Sequence, residues 1–243
     1  MTDRIAASSP SLKARMAGAF WLITTFGSLF NFMYVGGKIN VPGNAAATMH
    51  NIGAFESLRR LGFAADLIGD VAYVAVIALL YELLKPVNRS VSLLAAFLGL
   101  VGCTVGAVNG IIGLAPLAVL GVGPDASAFS AQQLQALVFL FRKLGSDGAN
   151  ISMVFFGFYC LLIGWLAFRS SFIPRIIGVA IAIAGVSYLT NSFTNILSLC
   201  LPSILYGKVL YGGIGEIVFA LWIFVMGVNA SKWKIRAASE RQA

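Results

Sequence analysis

LGFAADLIGDVAYVAVIALLYELL, residues 61 to 84, is the stretch on which the fold turns. At about 1.5 Å of rise per residue, a helix of this length crosses the roughly 30 Å hydrocarbon core of a bilayer. Nearly every side chain in it is apolar, yet Asp66 and Asp70 lie inside. An ionised acid near the centre of such a helix costs about 2.5 to 3.5 kcal/mol on insertion scales, so these residues normally face protein, water or a partner. The stretch therefore predicts a membrane span whose acids need an explanation.

Comparable runs occur on either side of it. Apolar segments near 17–35, 91–119, 150–168, 175–197 and 213–229 join the one at 63–84 to predict six transmembrane helices in an all-α, polytopic helical membrane protein. Mean hydropathy is +0.88, with 59% hydrophobic and only 11% charged residues, which excludes an ordinary soluble domain and makes the lipid bilayer the first partner. A polar arm (1–15), one six-span domain (16–230) and a basic tail (231–243) complete the expected organisation. The first run has no small-x-small cleavage site near Tyr34 and Val35 and reads as an anchor rather than a signal peptide.

The net charge of +8 does not point to nucleic acid, because the basic residues sit at the ends of spans. With an inner N-terminus, 11 of the 17 Lys and Arg residues fall on inner segments, among them Lys13, Arg15, Lys85, Arg89, Arg169, Arg175, Lys232 and Lys234; 6 fall on outer loops. This asymmetry predicts a multi-pass protein of the cell (inner) membrane with both termini cytoplasmic.

The inner turns, Lys85 to Arg89 and Arg169 to Arg175, are too short to carry a site. The outer loops are longer and alike. One turns at Pro42-Gly43-Asn44 and the other at Gly123-Pro124-Asp125, and each leads into an amphipathic stretch, so two outer amphipathic helices are expected at the interface. Ser130 and Gln133 form a capping-box pattern for the second. The stretches end in Arg59-Arg60-Leu61-Gly62 and Arg142-Lys143-Leu144-Gly145, an offset of 142 − 59 = 83. Span, outer helix, span and short inner turn recur in the same direction, which predicts parallel hairpin repeats; the last two spans form a shortened third copy containing Lys208 and Gly212.

In this repeat Asp66 and Glu216 correspond, 216 − 66 = 150, and the middle copy offers Asp147 and Asn150 nearby. Odd-numbered spans bring Asn31, Asn109, Asn191 and Asn195 toward the same end. Asp66, Asp70, Asn109, Asp147, Asn150, Asn191 and Glu216 are thus the candidate ligand-binding residues of a polar cluster under the outer face. Asp66 and Asp70 are one turn apart on one face, suiting a proton, a cation or a ligand amine. The competing explanation is structural, a hydrogen-bond or ion-pair network with Asn109, Arg59 or Arg142.

Other chemistry finds little footing. His50, the one histidine, has no HExxH or clustered partners, so no metal site is expected. Cys103, Cys160 and Cys200 are isolated and read as small packing residues. There is no G-x-S-x-G, P-loop or dinucleotide motif, so no catalytic residue or cofactor is named and the balance leans against an enzyme. Gly102, Gly106 and Gly110 form a ladder suited to close helix packing.

Several ordered motifs resemble the bacterial membrane family called domain of unknown function 4386. They are VPGNAAAT (41–48), LGFAADLI (61–68), YELLKPVN (81–88), QLQAL (133–137), VFFG (154–157), IPRIIG (173–178) and Gly215-Glu216. The resemblance implies a multi-span helical membrane protein and brings no activity with it. Two functions are expected from the residues themselves: an outward-facing polar pocket that binds or passes a small ligand or ion, or a non-catalytic scaffold or accessory subunit with a membrane-protein partner.

Overall fold

The computed structural model describes residues 9–121, 129–199 and 209–240. The turn expected at Gly123-Pro124-Asp125, together with Cys200 and Lys208, lies outside them. Among the described residues every regular element is a helix. Helix α1 runs Pro10–Ile39. Its start is set by Pro10 in the first turn and by Ser9, whose hydroxyl accepts the Leu12 N–H at 3.1 Å. Near its C-terminal end the residues Phe30–Val35 form a π-helical segment. Helix α2 (Ala45–Ala54) is capped by Asn44, and Phe55 breaks it from α3 (Glu56–Leu84). Asn88 caps α4 (Arg89–Leu120), and the Ser130–Gln133 capping box forms as expected at the start of α5 (Ala131–Arg169). Then come α6 (Arg175–Ile196), α7 (Val209–Val225) and α8 (Ala230–Glu240).

Five helices, α1, α3, α4, α5 and α6, are long and apolar enough to cross a membrane, and the bent pair of α7 and α8 brings the count to as many as six. The chain is a polytopic helical membrane protein. Of the two outer amphipathic stretches, only α2 is a separate helix. The second continues without a break into its span: Arg142 to Ser146 carries no proline, and Gly145, at a cost of about 1 kcal/mol, does not end the helix. The arm likewise becomes helical at Pro10, and the tail forms α8, set at 98° to α7. Trp233 fastens α8 by donating its indole N–H to the Leu83 carbonyl at 2.8 Å.

The spans pack in sequence order, α1 on α3, α3 on α4, and so on to α6 on α7, and α7 returns to α1. The result is a closed ring of six. Lipid tails give helices no hydrophobic reason to associate, so contact rests on close packing and interhelical hydrogen bonds. Close backbone approach joins α5 and α6 through Gly157 with Gly185 and Gly164 with Gly178; a Cβ on Gly178 would lie 2.7 Å from the Phe168 nitrogen. The expected ladder in α4 acts differently. Gly102 and Gly110 receive the rings of Phe156 and Phe63, while Gly106 faces the Ser152 hydroxyl.

The first two hairpins make corresponding contacts. Thr24 donates to the Gly69 carbonyl at 2.8 Å, and Ser152 donates to the Gly102 carbonyl at 2.8 Å. Asn31 lies against Gly62, while Asn109 donates to the Gly145 carbonyl at 2.9 Å. The offsets agree: 102 − 24 and 109 − 31 are both 78, and 152 − 69 and 145 − 62 are both 83.

Candidate functional site

Two buried apolar clusters bracket a polar layer. The larger lies toward the short turns, with Trp21, Tyr73, Leu80, Leu84, Ile163 and Ile223 in it; the smaller, at the opposite end, consists of Val35, Ile39, Ile52, Leu117 and Val138. Between them, along 22–34, 56–71, 104–115, 139–158, 185–196 and 213–218, no hydrophobic side chain is buried. Asn150, Ser152, Ser192 and Thr194 are buried there instead. Asn31, Arg59, Asp66, Asp70, Asn109 and Glu216 are half-buried in the same layer.

Around Asp66 three helices are tied together. Asn31 donates its Nδ2 to Asp66 Oδ2 and accepts a long hydrogen bond from Arg59 Nη1 at 3.5 Å. Arg59 also donates Nη2 to the Gly113 carbonyl of α4 at 3.0 Å. Asn31 reaches inward from the π-helical segment, and Gly62 leaves room for its amide, which would collide with a Cβ there. Asp70 lies one turn deeper on the same face and forms no hydrogen bond or ion pair among the described residues. Three residues further on, Tyr73 is buried in the aromatic floor, with its ring edge-on to Trp21 and Phe156.

The other predicted residues fall into separate groups. Asn109 is bound to Gly145, and its Oδ1 rests against Gly148 with no donor. Asn150 donates to the Ser146 carbonyl at 2.9 Å and accepts from Asn195 at 3.4 Å; Asn195 in turn donates to Asn191 Oδ1 at 3.1 Å. Asp147 turns outward to an exposed ion pair with Lys143 at 2.6 Å, of a kind worth about 0.2 to 1 kcal/mol. Glu216 has partners of its own: Tyr188 donates its hydroxyl to Oε2 at 2.7 Å, and the Cys160 thiol lies 3.5 Å from Oε1. Asp66 and Glu216, equivalent by offset, share no hydrogen-bond partner.

Ion pairing separates the acids sharply. Glu56 pairs with Arg60, Glu82 with Lys13 and Lys85, and Asp147 with Lys143, all at the ends of spans. Among the described residues, Asp66, Asp70 and Glu216 have no ion pair. No group of three or more His, Cys, Asp or Glu able to hold a metal occurs among the described residues. Tyr73, Tyr159, Tyr188 and Cys160 were not among the sequence candidates. Tyr73 had a signal, since it continues the stripe of Asp66 and Asp70 at a spacing of three residues; the other three become relevant only once α5, α6 and α7 are placed side by side.

An uncharacterised protein of Archaeoglobus fulgidus is similar to the chain, with 25% identity over 83 residues, which are 34% of this chain and 48% of that protein. The chain spans about half the length of that relative. No solved structure matches it. The model of one family, described as a domain of unknown function (DUF4386), matches residues 16–227, the whole ring with its polar layer, and the chain belongs to that family.

Proposed function

We propose that the protein binds or passes a small cation, an organic ammonium group included, at the polar layer, with Asp66 and Asp70 as its anionic ligands and Asn31 beside them. One observation carries this reading: among the described residues the acids inside the spans form no direct ion pair, Asp66 meeting Arg59 only through Asn31, whereas the acids at the ends of spans are paired. An ionised group in that environment is costly without compensation, and a cationic ligand supplies it. Asp66 already accepts from Asn31, which leaves Asp70 as the freer ligand. The basic asymmetry of the loops turns the mouth of the layer, the end with α2, away from the cytoplasm.

The test is thermal unfolding of the purified protein with sodium, potassium or methylammonium at constant ionic strength. A ligand at about 100 times its Kd stabilises the folded state by about 2.7 kcal/mol. One of the three cations should raise the melting temperature of the wild type and leave that of folded Asp70→Asn unchanged. Equal behaviour of all three, or an undiminished shift in the variant, defeats the proposal. Recovery of a stoichiometric membrane-protein partner alongside such a null result would favour a scaffold role instead.

A further inference from the structure

Glu216 presents a different problem from Asp66 and Asp70. Its carboxylate meets a buried hydroxyl and a buried thiol from two other helices, with further hydroxyl and thiol groups beyond them. Tyr188 of α6 and Cys160 of α5 touch it. Tyr159 of α5 and Tyr73 of α3 lie within its electrostatic reach, as Cys103 of α4 does within that of both tyrosines. Helix α1, the other neighbour of α7, has no titratable residue between Arg15 and Tyr34. No Lys or Arg pairs with Glu216 among the described residues.

Two of these hydroxyls are orphans. Tyr73 and Tyr159 are 5% and 1% exposed, their rings are 5.9 Å apart, and among the described residues neither hydroxyl makes a full hydrogen bond, the two approaching only each other. A buried hydroxyl without a partner is rare in folded proteins and commonly marks an ordered water or a functional role. The orphans adjoin the surroundings of Glu216, and Asp70 precedes one of them along α3. Asp70 precedes Tyr73 by three residues on one helical face and acts electrostatically on Cys103, while Tyr159 adjoins Cys160, which contacts Glu216. An isolated carboxylate in a low-dielectric interior is neutralised by a proton or a cation. The aromatic floor around Trp21, Tyr73, Phe156 and Phe219 is lined by ring-on-ring contacts and offers no carboxylate or amide cage for a cation, which favours the proton.

We propose that Glu216 is a proton-exchanging site inside the ring, and that Tyr159 and Tyr73, with water between them, relay its proton to Asp70. In that transfer the Glu216 carboxyl O–H breaks. Each intervening oxygen accepts one proton and releases its own, and the Asp70 carboxylate gains an O–H. No electron moves and no other reactant is needed. The proposal shares Asp70 with the cation site but does not depend on any cation binding there.

Infrared spectroscopy of the full chain in lipid nanodiscs tests it, with protons and deuterons as the probe. The wild type should show the carbonyl stretch of a protonated carboxyl that disappears in Glu216→Gln. Tyr188→Phe should move the same band, because one hydrogen bond to the carboxyl is removed; this variant secures the assignment if Glu216→Gln fails to fold. In Tyr73→Phe/Tyr159→Phe the band should persist while its hydrogen–deuterium exchange slows by about tenfold, equivalent to about 1.4 kcal/mol on the barrier. A wild type without a protonated carboxyl assignable to Glu216 overturns the site, and unchanged exchange in the double variant overturns the relay. Neither result bears on cation-dependent melting, so the two proposals fail separately.

Discussion

Asn31 shows how much one side chain decides in a polar layer. Its amide is used at both ends, accepting from Arg59 and donating to Asp66, so it joins a cation and an anion that form no direct ion pair. Asn31→Leu removes both bonds. Each orphaned polar group costs about 1 to 3 kcal/mol when fully buried; because Arg59 and Asp66 are half-buried, about that much is expected in total. Thermal unfolding in detergent should show the loss, and Asp66→Asn, which keeps a hydrogen-bonding group opposite Asn31, should show less of it. An Asn31→Leu protein as stable as the wild type would remove Asn31 from the network. The sequence made the acids conspicuous and offered Arg59 as a partner, but it paired them with Asn109 rather than Asn31. The reason is local. A π-helical segment adds residues to a turn, and each added residue rotates the remainder of the helix by about 100°, a shift that apolar periodicity does not reveal.

At the scale of elements, length was the legible quantity. Bilayer thickness demands about 20 apolar residues per crossing, and such runs are visible without any partner. Continuity was less so. At about 1.5 Å per residue the 39 residues of α5 extend about 58 Å, roughly twice the hydrocarbon core, so the helix is longer than one crossing and includes the amphipathic stretch that the sequence suggested as a separate element. Which glycines meet a neighbour was also hidden, because spacing identifies a ladder but not the face turned to another backbone. The conspicuous ladder in α4 accommodates aromatic rings, whereas Gly164 and Gly178 bring α5 and α6 into backbone contact. Gly178→Leu would place its Cβ 2.8 Å from the Gly164 carbonyl oxygen, and it should cost at least the roughly 1 to 3 kcal/mol of ordinary overpacking. Gly53 in α2 is the control, with nothing within 4 Å of an added Cβ. Gly53→Ala should be neutral or stabilising by up to about 1 kcal/mol through helix propensity. If both substitutions shift the melting temperature alike, the contact between α5 and α6 is not where stability resides.

For the whole molecule, hydropathy fixed the class but not the closure. Short turns make consecutive spans neighbours, but only packing reveals that α7 returns to α1, where Gly18 lies against the backbone of Phe224. Closure gives the ring an interior, and the two apolar clusters divide that interior into a sealed end near the short turns and a polar layer beneath α2. Under the proposed cation site, which end meets the cytoplasm determines the side from which the layer is reached. The sealed end carries Lys13, Lys85, Arg89, Arg169 and Arg175, and α8 adds Lys232, Lys234 and Arg236, so the bias of basic residues predicts that this end faces the cytoplasm. Single cysteines introduced into a Cys200→Ser background test this, since Cys103 and Cys160 are buried. Ser130→Cys, exposed before α5, should react with a membrane-impermeant maleimide on intact cells. Ser171→Cys, exposed in the turn between α5 and α6, should react only after permeabilisation. The opposite pattern would invert the protein in the membrane. Asp66 and Asp70 would then be approached from the cytoplasm, and a cation taken from outside would have to cross the sealed aromatic floor to reach them.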